Sequence, residues 1–245
     1  REFLTSTEEN KRPQLVDRLL ELPEYGDHWA NKWADLLRPN PYRVGIKAVL
    51  NYDAWIRSSF RQNKPYDQFV RELLTARGST WRNGAATLFR DRRSPDELTT
   101  LVSQLFLGIR LECAKCHHHP FEKWAQKDFF SFAAYFARLG RKGSGLSPPI
   151  SGGEEVILTR TSGSVSHPLT GAVLPPRPLF GEPPELSEHE DPRVALARWI
   201  TSKENPYFAQ VAVNRVWADL MGRGLVEPVD DLRATNPPSN SPLLK

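Results

Sequence analysis

The chain has 245 residues and two cysteines, Cys113 and Cys116, and the second is followed directly by His117. Two cysteines placed at random in a chain of this length fall three apart roughly 0.8% of the time. With six histidines in the chain, requiring one directly after the second cysteine lowers that to about 2 in 10,000, so the spacing is signal rather than accident. Cys113-Ala-Lys-Cys116-His117 is the residue order that attaches c-type haem. Two thiols at this separation add to the two vinyl groups on one edge of a porphyrin, and an imidazole in the next position ligates the iron on the proximal side. The stretch continues through His118, His119 and Pro120 to Trp124. Pro120 stops a helix, and Phe121 and Trp124 are candidate walls for a macrocycle. The same residues admit other chemistry. Both thiolates with His117 or His119 can bind zinc, although such sites usually draw a second ligand pair from a distant segment. A Cys-x-x-Cys pair also suits a redox-active or structural disulfide, and two inert buried thiols complete the set of readings.

A second axial ligand has several candidates. His118 and His119 lie too close in sequence to His117 to reach the opposite face of the same iron easily. Met221 is the single methionine and sits in an apolar helical pattern, which predicts core packing. His28 follows Asp27 near a helix start and reads as a surface residue. His167, in Val165-Ser-His-Pro-Leu-Thr-Gly171, is the remote histidine at the tip of an expected hairpin and the leading candidate. Ligation by His117 and His167 together favours electron transfer, whereas an open sixth position permits small-molecule binding or peroxide chemistry.

These residues need elements to hold them. Apolar residues at helical spacing predict helices over 11–22 (Leu15, Leu19, Leu22), around Trp29, Trp33 and Leu36, around Val49, Trp55, Ile56 and Phe60, and over 66–74. Ser94-Pro95-Asp96-Glu97 is a capping box with proline at the first helical position. The helix it opens carries Leu98, Val102, Leu105, Phe106 and Ile109 on one face and is expected to deliver Cys113 and Cys116 at its C-terminal end. A further helix is predicted over 127–139, with Phe129, Phe132, Ala133 and Phe136 inside. Composition then changes to glycine, serine and proline over 141–190. There 155–160 reads as a strand, 165–167 as its returning partner, and 172–174 as another extended piece. Asp191-Pro192 repeats the cap-and-proline start. Residues 206–221 form the last long helix, with Gly222 as its C-cap. The expected fold is mainly α: a helical, bundle-like domain over 1–140 carrying the haem motif, a Pro/Gly-rich linker with a small β-hairpin over 141–190, and a helical segment over 191–245.

Hydrophobic residues make up 39% and charged residues 25%, which excludes a disordered chain. No apolar run approaches 18 residues, so no membrane span is expected. The net charge of +4 is too diffuse to argue for nucleic acid. No nucleophile elbow, phosphate loop or dinucleotide fingerprint is present. Asp230 and Asp231 with Arg233, Asn214 and Arg215 read as a buried polar network fixing the C-terminal loop. Asp35 and Arg38 read as a structural ion pair, and Arg138, Arg141 and Lys142 as a solvated basic face.

Longer stretches carry a family resemblance. Leu15-Val-Asp-Arg-Leu-Leu20, Pro23-Glu-Tyr-Gly26, Trp33-Ala-Asp-Leu-Leu-Arg38, Lys64-Pro-Tyr-Asp-Gln-Phe-Val-Arg-Glu-Leu73 and Cys113-Ala-Lys-Cys-His-His-His-Pro-Phe121 resemble the planctomycete cytochrome-type domain. Asn205-Pro-Tyr-Phe208, Val213-Asn-Arg-Val-Trp217, the run from Gly222 to Asp231, and Asn236-Pro-Pro-Ser-Asn240 resemble the planctomycete-specific domain that usually follows it. The resemblance implies an exported protein of the periplasm or cell envelope, part of a longer polypeptide, in a c-type haem context, and it supplies no reaction. His118 departs from the pattern, since relatives carry a polar residue, commonly Asp or Asn, there. The expectation is a covalent haem c on Cys113 and Cys116, with iron held by His117 and His167, serving electron transfer with a redox partner protein or as a haem module of a larger envelope oxidoreductase. The alternative is a structural or carbohydrate-associated envelope protein in which the cysteine pair is a disulfide or zinc clip.

Overall fold

The computed structural model describes residues 2–143, 153–183, 185–187 and 190–244, and is mainly helical with two small sheets. The helix starts follow from capping chemistry. At Pro95–Leu107, Ser94 accepts the Glu97 amide at 3.2 Å while the Glu97 carboxylate accepts the Ser94 amide at 3.1 Å. At Pro192–Ile200 and Pro206–Met221, Asp191 and Asn205 accept the amides of Arg193 and Tyr207. In all three a proline fills the first turn, where a missing N–H costs nothing.

The core collects around aromatic residues. Trp33, on Pro23–Leu37, has its ring 5.3 Å from Phe69, 5.4 Å from Tyr66 and 6.1 Å from Phe106. Phe69 lies on Tyr66–Thr75 and Phe106 on Pro95–Leu107, so one indole joins three helices. Phe129, Phe132 and Phe136 continue the same core, and all three are fully enclosed.

Several expectations change. The Pro95–Leu107 helix does not deliver the cysteines. Gly108 adopts the left-handed conformation (φ 65°) and closes the helix, donating its N–H to the Gln104 carbonyl at 3.2 Å. A Cβ there would also press on Leu232, 2.9 Å away. Cys113 instead sits on a separate 3-10 turn, Glu112–Lys115, and Cys116 caps the C-terminal end of that turn. The predicted helix over 127–139 is shorter: Gln126–Ala133 is α-helical, Ala134–Phe136 tightens to a 3-10 turn, and Leu139–Gly143 is a strand. The aromatic spacing runs on through Phe136, and such a pattern does not separate an α turn from a 3-10 turn.

Strand Glu155–Thr159 does not pair with 165–167. It lies between Leu139–Gly143 and Gly78–Ser79, antiparallel to both, with Arg141 opposite Ile157. A five-residue ladder outcompetes a two-residue return, and the chain beyond Thr159 crosses back over Arg138, whose carbonyl accepts the Arg160 amide at 2.7 Å. Val165–Ser166 pairs instead with Val173–Leu174. The expected stripe of Leu15, Leu19 and Leu22 does not reach the core, since no residue of Lys11–Leu20 is buried. Met221 is exposed rather than packed. Arg141 is no solvated surface cation: its guanidinium donates to the carbonyls of Phe89 (2.8 Å) and Arg92 (3.2 Å), and burial lowers its pKa to about 10. Asp35 and Arg38 form the expected ion pair, exposed and at 3.6 Å.

Arg193 crosses between these parts. It is 1% exposed. Its guanidinium meets the Asp191 carboxylate at 2.7 Å, donates to the Ala76 carbonyl at 3.0 Å and to Thr159 at 3.3 Å, and lies 4.7 Å from the Phe89 ring centre. Burial pushes the Asp191 carboxyl upward, but its hydrogen bonds from Arg193 and Thr159 outweigh this and hold it below its ordinary 3.8. Asp191→Ala leaves a buried, unpaired guanidinium and is expected to cost about 3–5 kcal/mol at neutral pH. Because the folded-state pKa is depressed, that stabilisation is complete above the unfolded value and disappears as pH falls through the folded one. Urea titrations of both proteins should show the gap at pH 7 and its narrowing below pH 3.8; a gap independent of pH in that range contradicts the assignment.

Candidate functional site

Cys113, Cys116 and His117 share a single helical turn. The Cys113 carbonyl accepts the amides of both Cys116 and His117 at 3.3 Å. Both cysteines are exposed free thiols, and Ala114 between them is buried, so the turn packs on its alanine and presents both sulfurs outward. His117 is exposed as well. Its Nδ1 lies 2.6 Å from the His118 carbonyl oxygen. A carbonyl only accepts, so Nδ1 carries the hydrogen and the neutral ring offers its Nε2 lone pair to a metal.

His119 is set differently. Its Nδ1 accepts the Phe121 amide at 3.2 Å, which places the hydrogen of the neutral ring on Nε2, and its backbone amide donates to the Trp124 carbonyl at 2.8 Å. His119 therefore ties the loop 117–124 together and offers no Nε2 lone pair. Trp124 is buried and cannot wall a ligand on the turn, whereas Phe121 is exposed beside it. His28 is exposed on Pro23–Leu37.

The turn is held from three directions. Lys115 pairs with Asp96 at 3.0 Å, at the start of the capping-box helix, and this carboxylate holds the ammonium above its ordinary value. Gln126 donates to the Lys115 carbonyl at 2.9 Å. Arg110, just upstream, pairs with Asp230 at 2.6 Å, and Gln104 donates to the other oxygen of Asp230 at 3.0 Å. Burial raises the Asp230 carboxyl, and Arg110, Gln104 and Arg215 together pull it below the ordinary range. Asp230 belongs to the C-terminal loop, which Asn214 organises. Asn214 is fully buried, accepts the amides of Leu225 and Val226, and donates to the carbonyls of Val226 and Val229. The same loop continues past the turn: Leu232 donates to the Gly108 carbonyl at 2.8 Å, Ala234 to Glu122 at 2.9 Å, and the Arg233 guanidinium lies 5.6 Å from the Phe121 ring centre.

His167 is brought near the same helix face. The hairpin of Val165–Ser166 and Val173–Leu174 packs against Gln126–Ala133. The His167 ring centre lies 6.4 Å from that of Phe130. Gln126, which holds the cysteine turn, and Phe130, which meets His167, are four residues apart and share one helix face. As placed, His167 Nδ1 accepts the Leu169 amide over a long 3.3 Å contact, so ligation through Nε2 requires that contact to be given up and the hydrogen to move to Nδ1. Among the described residues no three His, Cys, Asp or Glu side chains converge closely enough to hold a metal ion, so a zinc clip on the two thiols with His117 or His119 is not assembled.

The polar network expected around Asp230 and Asp231 is present, with two partners that the sequence does not reveal, Arg110 and Gln104. Arg110 is 120 residues from Asp230 and carries no local signal of the pairing. Gln126 was equally hidden, since a buried glutamine at a helix start reads as a cap neighbour.

The family model described as PSCyt2, a protein of unknown function (DUF1549), matches residues 1–141. The model described as PSD1, a protein of unknown function (DUF1553), matches residues 192–245. No curated protein and no solved structure matches the chain. The cysteine turn lies in the first matched segment, the Asp230 loop that braces it lies in the second, and His167 falls between them. Among the described residues no helix is long and apolar enough to cross a membrane.

The exposure of the two sulfurs has a direct test. In folded protein produced without haem attachment, a thiol reagent such as DTNB is expected to titrate both cysteines with no denaturant added. Fewer than two reactive thiols per chain means that the turn is buried or already bridged.

Proposed function

The chain belongs to the PSCyt2 family, whose model covers more than half of it, and from that premise we propose that it is a c-type haem protein working in electron transfer. The observation that carries the reading is the turn 113–117: two outward, unbridged thiols three residues apart, followed by an imidazole whose Nδ1 is engaged and whose Nε2 is left for a metal. This donor set fits a covalent haem in both ligand chemistry and order. The family name points the same way, although its description assigns no function.

Cys113 and Cys116 would hold the porphyrin edge through two thioethers, and His117 would ligate iron from the proximal side. The His118 carbonyl orients the ring and raises the basicity of Nε2 by accepting its other hydrogen. Haem so bound supplies a one-electron iron couple. The chain's own contribution is positional. Asp96 and Gln126 fix the turn through Lys115, and Asp230 fixes the segment that leads into it. A group attached to exposed sulfurs remains near the surface, which suits exchange of electrons with a partner protein rather than chemistry in a closed pocket. His167 is the proposed second ligand, on the strength of its placement on the helix face that also meets the turn. The proposed location is the periplasm or cell envelope, where c-type attachment takes place.

Acid–acetone treatment of the holoprotein is expected to leave the colour on the polypeptide. A folded but colourless protein ends this reading and leaves the cysteine pair as a structural clip. His117→Ala should abolish the native ferric spectrum, while His118→Ala leaves it nearly unchanged; equal effects would give His118 a share in ligation. His167→Ala is expected to convert a low-spin ferric spectrum to high-spin, and an unchanged low-spin spectrum removes His167 from the iron.

A further inference from the structure

Away from the cysteine turn, a cleft of about 900 Å³ opens between Pro23–Leu37 and Pro206–Met221. That volume falls within the range of small-molecule sites. Its walls are mostly aromatic and aliphatic: Trp29, Trp33, Phe60, Tyr66 and Trp217 line it together with Val216. Tyr66 is stacked on Phe208, with ring centres 4.8 Å apart and planes 6° from parallel, and its hydroxyl is buried without a hydrogen-bond partner. Burial pushes that phenol above its ordinary range, so it stays neutral and able to donate.

Three cations line the cleft, Lys32, Lys64 and Arg215. Lys32 is paired with Asp219 and Lys64 with Glu72. Arg215 is different. Its side chain is 13% exposed, and neither Nε nor Nη2 has a hydrogen-bond partner. The nearest acid is Asp230, whose Oδ2 is 3.7 Å from Nη2, too far for a hydrogen bond. Asp230 is committed elsewhere: Arg110 takes one oxygen at 2.6 Å and Gln104 the other at 3.0 Å. A guanidinium cannot neutralise itself by losing a proton, and buried donors normally have partners. Of the two acids that line the cleft, Asp219 is held by Lys32, and Asp35 is largely exposed and turned to Arg38.

We infer that this cleft binds a small amphipathic carboxylate, its flat aromatic body lying among Trp29, Trp33 and Trp217 and its carboxylate meeting Arg215. Aromatic walls favour a planar, polarisable body by stacking. A guanidinium with unused N–H groups favours a carboxylate, whose two oxygens match its fork. The Tyr66 hydroxyl is a second donor on the same wall. The inference does not rest on haem attachment at the cysteine turn, and its test does not require haem.

The test is calorimetric titration of the full chain with 2-naphthoate and with its neutral analogue 2-naphthalenemethanol. The expected result is at least tenfold tighter binding of the carboxylate. Arg215→Met, which keeps the length of the side chain and removes its donors, should weaken naphthoate at least tenfold and bring the two ligands within about twofold of one another. Val216→Trp fills the cleft from an exposed position and should weaken both ligands at least tenfold, with circular dichroism unchanged. Should Arg215→Met fail to fold, the wild-type preference together with Val216→Trp decides the matter. Equal affinity of the two ligands for the wild type, absence of binding, naphthoate affinity unchanged in a folded Arg215→Met, or binding that survives Val216→Trp overturns the inference.

Discussion

One buried charge joins most of this molecule. Arg193 is 1% exposed, and a guanidinium cannot be neutralised, so the fold must surround it with acceptors or pay a large desolvation cost. The acceptors come from parts of the chain that are far apart in sequence: the carbonyl of Ala76 just after helix Tyr66–Thr75, the hydroxyl of Thr159 in the central strand, and the carboxylate of Asp191 at the start of Arg193's own helix. Phe89 covers its face. Each of these elements is fixed relative to the others because the same cation needs all of them. The strand Glu155–Thr159 is thereby bound to the helices that precede and follow it, and Leu139–Gly143, its ladder partner, is carried along.

The cysteine turn depends on that frame at one remove. Leu139–Gly143 follows directly on the segment containing Gln126–Ala133, whose Gln126 holds the Lys115 carbonyl. On the other side, the C-terminal loop braces Gln104, Gly108 and Arg110 before the turn and Phe121 and Glu122 after it. The two family segments, 1–141 and 192–245, therefore meet around the thiols, and the residues that position the turn come from both.

Local chemistry was legible in the sequence, and long-range pairing was not. The Ser94 capping box, the Asp191 cap and the Gly222 terminus are each decided within four residues, and each was readable. The errors have a common cause in tertiary competition. Glu155–Thr159 is a strand by composition, but nothing in its neighbours says that Leu139–Gly143, on the far side of the glycine-rich stretch, offers the longer ladder. Leu15 and Leu19 have the spacing of a buried face, yet burial needs a partner, and Lys11–Leu20 buries none of its residues. Arg141 reads as a surface cation until the carbonyls of Phe89 and Arg92 are brought to it. The Gly108 stop was missed although glycine is the usual C-cap, because the apolar run continues past it to Ile109 and Leu111, which pack into the core from a non-helical backbone.

The brace between Arg110 and Asp230 closes over 120 residues of intervening chain. Contacts of such separation form late, since the loop they close must first be ordered, and during synthesis the N-terminal part of a chain emerges and folds first. A growing chain therefore exposes Cys113 and Cys116 well before the segment that braces their turn exists. For that interval the two thiols sit on a turn that lacks this brace. The later-made segment around Asp230 then fastens a turn that the N-terminal part of the chain has already formed.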